Sequence, residues 1–170
     1  MRHQNGKGVV SQPVERDGSM TLQIQDNWDR LVAELQHEID EKERALYSAK
    51  VLEQARNPTH LGRMEDPDAY ARITGRCGDT MEIFLRCNGS TIQQATFLTD
   101  GCGSRLACGN MITTMVVGKT PDEAAQIDPE ELTAALGGLP DDSAHCAVLA
   151  VSTLRKALAS VPRPDATGAT

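Results

Sequence analysis

Three of the five cysteines in this 170-residue chain lie in short polar segments suited to thiolate chemistry. Cys77 is followed two residues later by Asp79. Cys102 lies between two glycines, and Cys146 directly follows His145. A thiolate is both a nucleophile and a soft metal ligand, and with an imidazole and a carboxylate it suits zinc or an iron–sulfur cluster. Residue types and spacing leave the choice between zinc and a cluster open.

Redox and hydrolytic thiol chemistry are less well supported. The sequence contains no Cys-x-x-Cys, which argues against a thioredoxin-type motif and against a zinc ribbon. A cysteine hydrolase needs a positioned Cys–His pair, but the adjacent His145 and Cys146 would project in different directions from a helix. We therefore predict that the protein is not an enzyme.

The segment around Cys102 is expected to join a strand to a helix. Gly101 and Gly103 allow a sharp turn, and Ser104 is predicted to cap the helix that follows. A helix N-terminus favours the thiolate over the thiol, so Cys102 would be activated there. Cys108 falls on the apolar stripe of this helix but only six residues after Cys102, which leaves a core thiol and an additional ligand as alternatives.

Three strands are predicted from period-two alternation, at 69–74, 80–87 and 91–99. Asn88-Gly89 between the second and third is typical of a type I′ hairpin. The second strand carries Cys87 on the same apolar face as Met81, Ile83 and Leu85. We therefore predict that Cys87 is a core thiol and not a ligand.

Further helices are expected on either side of these strands. Asn57-Pro58 should end one helix, and Thr120 and Asp128 should each cap a helix that has proline at its first position. The last helix is predicted from about His145 to Ser160.

The N-terminal part divides into a predicted flexible tail, residues 1–26, and an amphipathic helix, residues 27–46. The apolar seam of this helix consists of Trp28, Val32, Leu35, Ile39 and Leu46, interrupted by Lys42. Two alternatives stay open, namely packing on its own domain or pairing with a partner such as a second copy. Residues 161–170 are predicted to form a loose C-terminal tail.

Composition limits the partners and the compartment. With 17 basic and 24 acidic residues, the net charge of −7 argues against nucleic acid and against an anionic membrane surface. No apolar stretch has the length of a signal segment or a membrane span, so a cytoplasmic protein is expected.

The stretch from Tyr47 to about Ser160 resembles the iron–sulfur cluster assembly scaffold family, the IscU-like proteins and the N-terminal domain of NifU. The matching segments are Tyr47-Ser48, Lys50-Val51, Asn57-Pro58, Gly62, Cys77-Gly78-Asp79-Thr80-Met81, Gly101-Cys102-Gly103-Ser104, Gly118-Lys119-Thr120, Glu123-Ala124 and His145-Cys146-Ala147-Val148-Leu149-Ala150. The resemblance implies an α+β domain over residues 47–160, with helices on one face of a three-stranded antiparallel sheet. The helix at 27–46 would be an addition to it.

The resemblance also implies a function. Such a scaffold accepts persulfide sulfur from a cysteine desulfurase, binds iron, holds a [2Fe–2S] cluster transiently and transfers it to apo-proteins or carriers. Cys77, Cys102 and Cys146 would be the sulfur acceptors and, with Asp79 and His145, the metal ligands. A zinc-binding structural or regulatory module that uses the same side chains is the alternative, and Zn²⁺ would fit the isolated protein.

The remaining implied partners are a frataxin-like protein and a ferredoxin. The family segment Leu-Pro-Pro-Val-Lys, which a specialised Hsp70-type chaperone recognises, reads Leu139-Pro140-Asp141-Asp142-Ser143 here. This difference argues against that chaperone as a partner. The resemblance leaves a homodimer open.

Overall fold

The computed structural model describes residues 18–162, with side chains from residue 23 onward. The chain divides into two compact units, Met1–Glu41 and Lys42–Thr170. Within the described residues, no helix combines the length and the apolar character needed to cross a bilayer.

Helix α1 covers Gly18–Leu46 and therefore begins nine residues before its predicted start at residue 27. Ile24 lies four residues before Trp28, so the apolar seam extends further toward the N-terminus than predicted. Residues 1–17 of the predicted tail lie outside the described residues. The large apolar side chains of α1 are 44–64% exposed, namely Ile24, Trp28, Leu31, Val32, Leu35, Ile39 and Leu46.

The sheet has the predicted architecture of three antiparallel strands in the order β1-β2-β3. The strands are β1 (Ala69–Thr74), β2 (Thr80–Asn88) and β3 (Thr91–Thr99). Ile83 on β2 pairs with Ala71 on β1 and Phe97 on β3. Ile83 and Phe97 are fully buried, so this face of the sheet forms one side of the hydrophobic core.

Helices cover that face. The helices after α1 are α2 (Ala49–Arg56), α3 (Gly103–Val116), α4 (Pro121–Ala125), α5 (Pro129–Ala135) and α6 (Ala144–Leu158), with a 3₁₀ turn at Asp141–Ser143. The predicted caps are confirmed, since the side chains of Thr120 and Asp128 accept hydrogen bonds from the amides of Glu123 and Glu131. Helix α6 ends at Leu158, two residues before its predicted end.

Helix α3 lies unusually close to the sheet at Gly109. A Cβ atom at this position would lie 2.3 Å from Cδ2 of Phe97, far inside van der Waals contact. Glycine at 109 thus sets the height of α3 above β3, and with it the position of the residues at the start of α3.

The β2–β3 hairpin forms as predicted, but its turn type does not match the prediction. Asn88 pairs with Thr91, so the two loop residues are Gly89 and Ser90. Gly89 has a φ of +63°, whereas Ser90 has no positive φ. A type I′ turn requires positive φ at both loop residues, so the predicted turn is wrong.

Cys87 lies at the hairpin end of β2. A register shift between Arg86 and Cys87 interrupts the alternation, which leaves Cys87 half-buried at the edge of the core. Burial and, to a smaller extent, the Asp68 carboxylate raise the pKa of its thiol. Cys87 is seven residues from Thr80 and thus about 23 Å along the strand from the opposite end of the sheet.

Candidate functional site

The loop between β1 and β2 presents two of the predicted ligands. Gly75 donates its amide to the Asp79 carbonyl at 2.8 Å, and Gly78 donates to the Gly75 carbonyl at 3.0 Å. Gly78 has a φ of +88°, which a residue with a side chain rarely adopts. This tight loop leaves Cys77 exposed and the Asp79 side chain 36% exposed.

The end of β3 and the start of α3 place Cys102. Asp100 accepts a hydrogen bond from the Thr80 amide at 2.6 Å, which holds the end of β3 next to the start of β2. Cys102 is exposed and is itself the N-cap residue of α3, as its predicted place at a helix N-terminus requires. The prediction that Ser104 caps the helix is wrong, because Ser104 lies inside α3 and its hydroxyl donates to Ser143 Oγ at 3.0 Å.

The first turn of α6 contributes His145 and Cys146. His145 is exposed, whereas Cys146 is 1% exposed, and Nε2 of His145 lies 3.7 Å from the Cys146 sulfur. Burial raises the pKa of Cys146 to about 11, against a smaller opposing effect of Arg105. Cys102 lies close enough to Cys146 to raise the pKa of its thiol further, so the starts of α3 and α6 bring two predicted ligands near each other.

Cys108 combines the two alternatives that the sequence left open. It is fully buried and belongs to the hydrophobic core. Burial raises the pKa of its thiol, and the neighbouring Cys146 and Cys102 raise it further. Cys108 is therefore a core residue that lies next to the predicted ligands.

The sequence reasoning missed Arg105, which contacts three of the predicted ligands. Its Nη1 forms an ion pair with Asp79, and its Nη2 contacts the Cys77 sulfur and lies 3.0 Å from Nε2 of His145. The side chain is only 3% exposed, and its Nε is buried with no hydrogen-bond partner among the described residues. The available signal was that Arg105 is the single charged residue between Gly103 and Val116.

Gly101 provides the space for this arginine. A Cβ atom at 101 would lie 2.3 Å from Cδ and 2.9 Å from Nη1 of Arg105. The glycine before Cys102 thus accommodates a buried side chain as well as a sharp turn.

The predicted ligands Cys77, Asp79, Cys102, His145 and Cys146 are therefore linked by Arg105 and by contacts with one another. Even so, residues 18–162 contain no group of three or more Cys, His, Asp or Glu side chains arranged to hold a metal ion. Arg105 is bound to three of the side chains that would have to surround the ion, namely Cys77, Asp79 and His145. A closed structural zinc site, in which four ligands meet around the ion, is not favoured by this arrangement.

Comparison with known proteins identifies the family. The sequence model of the NifU-like N terminal domain matches residues 46–166, about 71% of the 170-residue chain. The chain belongs to this family. The match begins at the last residue of α1 and includes all the elements after it, so nearly all of α1 lies outside the NifU-like domain.

Curated relatives of this NifU-like chain include scaffold proteins. The chain is 38% identical over 114 residues to the iron–sulfur cluster assembly scaffold protein IscU 1 of Archaeoglobus fulgidus, covering 66% of this chain and 74% of the relative. It is 35% identical over 115 residues to the IscU scaffold protein of Aquifex aeolicus, covering 66% and 73%. The fold matches the crystal structure of an N-terminal NifU-like protein from Brucella abortus with a TM-score of 0.54 at 18% identity, covering 67% of this chain and 92% of that one.

Proposed function

We propose that this chain is a scaffold on which an iron–sulfur cluster is assembled and from which it is transferred to apo-proteins. The observation that carries the proposal is that three separate segments present thiols to one region. Arg105 contacts Cys77 from the β1–β2 loop and His145 from α6, while Cys102 at the start of α3 lies close enough to Cys146 to raise its pKa. Membership of the NifU-like family and the scaffold relatives support the same function.

Sulfur would arrive on the proposed acceptors Cys77, Cys102 and Cys146. A thiolate attacks the terminal sulfur of a persulfide on the cysteine desulfurase, takes that sulfur and releases the donor thiolate. Cys77 and Cys102 are exposed and accessible to such a donor, whereas Cys146 is buried. We therefore propose that Cys77 and Cys102 accept sulfur first, and that Cys146 acts once the site has opened.

Iron would be held by these thiolates together with Asp79 and His145, as a transient [2Fe–2S] cluster. A carboxylate oxygen is a harder ligand than a thiolate and binds iron–sulfur centres less tightly. Asp79 lies on a glycine-containing loop and is more than a third exposed, which suits a ligand that an incoming thiolate replaces. Cys108 is the proposed additional ligand, and Zn²⁺ the proposed occupant of the same side chains in the isolated protein.

The proposed setting is a reducing cytoplasm, since all five cysteines are free. The proposed partners are a cysteine desulfurase, apo iron–sulfur proteins or carriers, a frataxin-like protein and a ferredoxin. Asp141 and Asp142 replace the proline and valine of the chaperone-recognition segment and Ser143 replaces its lysine, so we do not propose an Hsp70-type chaperone. The protein would hold and pass on its cargo without catalytic turnover.

Anaerobic reconstitution with ferrous iron, cysteine and a cysteine desulfurase tests this function. We expect a visible iron–sulfur chromophore that moves to an apo-ferredoxin. Cys102→Ser should abolish the chromophore, whereas the matched variant Cys87→Ser, at the other end of β2, should retain it. No chromophore in the wild type together with tightly bound zinc would favour the zinc module, and loss of the chromophore in folded Cys87→Ser would refute the ligand assignment.

The role of Asp79 needs a rate measurement. Asp79→Ala should give a longer-lived cluster that moves more slowly to apo-ferredoxin, because the exchangeable ligand is gone. The rate is measured per loaded cluster, since loss of the ion pair with Arg105 also affects folding. A transfer rate equal to or above that of the wild type would exclude Asp79 as the labile ligand.

A further inference from the structure

The guanidinium of Arg105 contacts three of the side chains that are predicted to bind the metal ion. These contacts are with the Cys77 sulfur, the Asp79 carboxylate and Nε2 of His145. The Nε2 atom of His145 has one electron pair, which it can share with the guanidinium or with a metal ion but not with both. A metal ion bound by all three groups would also repel a guanidinium in contact with them. The guanidinium and a metal ion therefore compete for these groups.

We propose that Arg105 is an internal cation that competes with free divalent metal ions for Cys77, Asp79 and His145. The metal-free site then discriminates against free cations, and a metal ion enters only after the guanidinium moves away. The inference depends on the proposed function only for the identity of the cargo, because competition with a free cation requires no sulfur donor.

Structural stabilisation does not explain an arginine at this position. Removing a guanidinium from water is costly unless its charge and donors are matched, yet the buried Nε is unmatched. Arg105 is also the third residue of α3, where the helix dipole disfavours a positive charge. Its favourable contacts are thus with the predicted ligands of the site.

Gly101 gives independent support for this placement. Its missing side chain leaves the space that Cδ and Nη1 of Arg105 occupy. A methyl group at position 101 would force the arginine out of its present position without changing any predicted ligand. Substitution of Gly101 is therefore a second way to remove the guanidinium from the predicted ligands.

Titration of the reduced, metal-free protein with Co²⁺ tests the proposal, with the thiolate-to-cobalt absorption band as the readout. Arg105→Met keeps the approximate length of the side chain and removes its charge, and it should bind Co²⁺ at least about tenfold more tightly than the wild type. Arg105→Lys keeps a charge but lacks the planar fork that reaches three ligands, so an intermediate affinity is expected. Arg76→Met is the matched control, because it removes an exposed arginine next to Cys77 and should change the affinity less than about twofold.

Gly101→Ala should tighten Co²⁺ binding by displacing the arginine, and the double variant Gly101→Ala/Arg105→Met should bind no more tightly than Arg105→Met alone. Thermal unfolding identifies the folded variants, and Gly101→Ala and Arg105→Lys carry the test if Arg105→Met does not fold. Unchanged or weaker Co²⁺ binding by folded Arg105→Met or Gly101→Ala would overturn the proposal. Tighter Co²⁺ binding without any iron–sulfur chromophore on reconstitution would reject the scaffold function and keep the competition.

Discussion

Ser104 and Ser143 share a buried hydrogen bond of 3.0 Å that joins the first turn of α3 to the turn before α6. The two residues are 2% and 8% exposed. Because Cys102 precedes Ser104 and Cys146 follows Ser143, this bond fixes the separation of two predicted ligands. Neither serine lies in a position that local sequence patterns would pair, since 39 residues separate them.

Ser104→Ala should lower the free energy of unfolding by about 1–3 kcal/mol, because it leaves the buried Ser143 hydroxyl without this partner. Ser104→Ala/Ser143→Ala should cost less than the sum of the two single changes, since no stranded hydroxyl remains. Urea unfolding measures both. Ser160→Ala is the control, because Ser160 is an exposed serine just after α6 that donates to the Ala157 carbonyl. Additive losses in the double variant would contradict a direct bond.

The five thiols should react with iodoacetamide at pH 8 in an order set by burial. The exposed Cys77 and Cys102 should be alkylated first and the half-buried Cys87 next. Cys146 and Cys108 should react last, because burial raises the pKa of both, that of Cys146 to about 11, and leaves little thiolate at pH 8. Mass spectrometry of timed samples gives the order, and early labelling of Cys108 in the folded protein would refute it.

Gly109→Ala should destabilise the domain by about 1–3 kcal/mol, because the added methyl group overlaps the Phe97 ring. Gly103→Ala is the matched control on the same helix. A Cβ there would meet only the Ala55 side chain at 3.7 Å, an ordinary contact, so its stability should be equal or slightly higher. Equal effects of the two substitutions would show that α3 does not depend on close approach at 109.

Removal of residues 1–41 should change the melting temperature of the remaining chain by no more than about 2 °C, since Val51 is the first buried apolar residue among those whose side chains are described. Residues 42–170 form a compact unit by themselves. Calorimetry checks this, and sedimentation of both forms shows whether α1 pairs with a second copy. Loss of the cooperative transition in the shortened chain would mean that α1 is part of the folding unit.

The strands and capped helices could be predicted because their signals are local. Alternation located β1 and β3 to the residue, and Thr120 with Glu123 forms the capping box that its spacing indicates. Arg105 could not be assigned to the site in this way. A charged residue on a helix ordinarily indicates a solvent-exposed face, and its partner Asp79 lies 26 residues earlier on another element.

Cys108 belongs to the hydrophobic core and also lies near Cys102. Helical periodicity correctly placed Cys108 in the core, and sequence proximity suggested a neighbour of Cys102, but neither signal showed that Cys108 is both. The site lies at the end of the core, so a residue there belongs to both. A residue at this end of the core can therefore pack in the core and contact the candidate site at the same time.

Asp141 and Asp142 are exposed in the turn that leads into Cys146. Two exposed carboxylates so near Cys146 in the chain should affect the kinetics of docking, since they attract a basic surface over about one Debye length before any contact forms. A donor or recipient with lysines around its own reactive thiol would therefore associate faster than an acidic one. Added salt should slow that encounter and leave dissociation nearly unchanged.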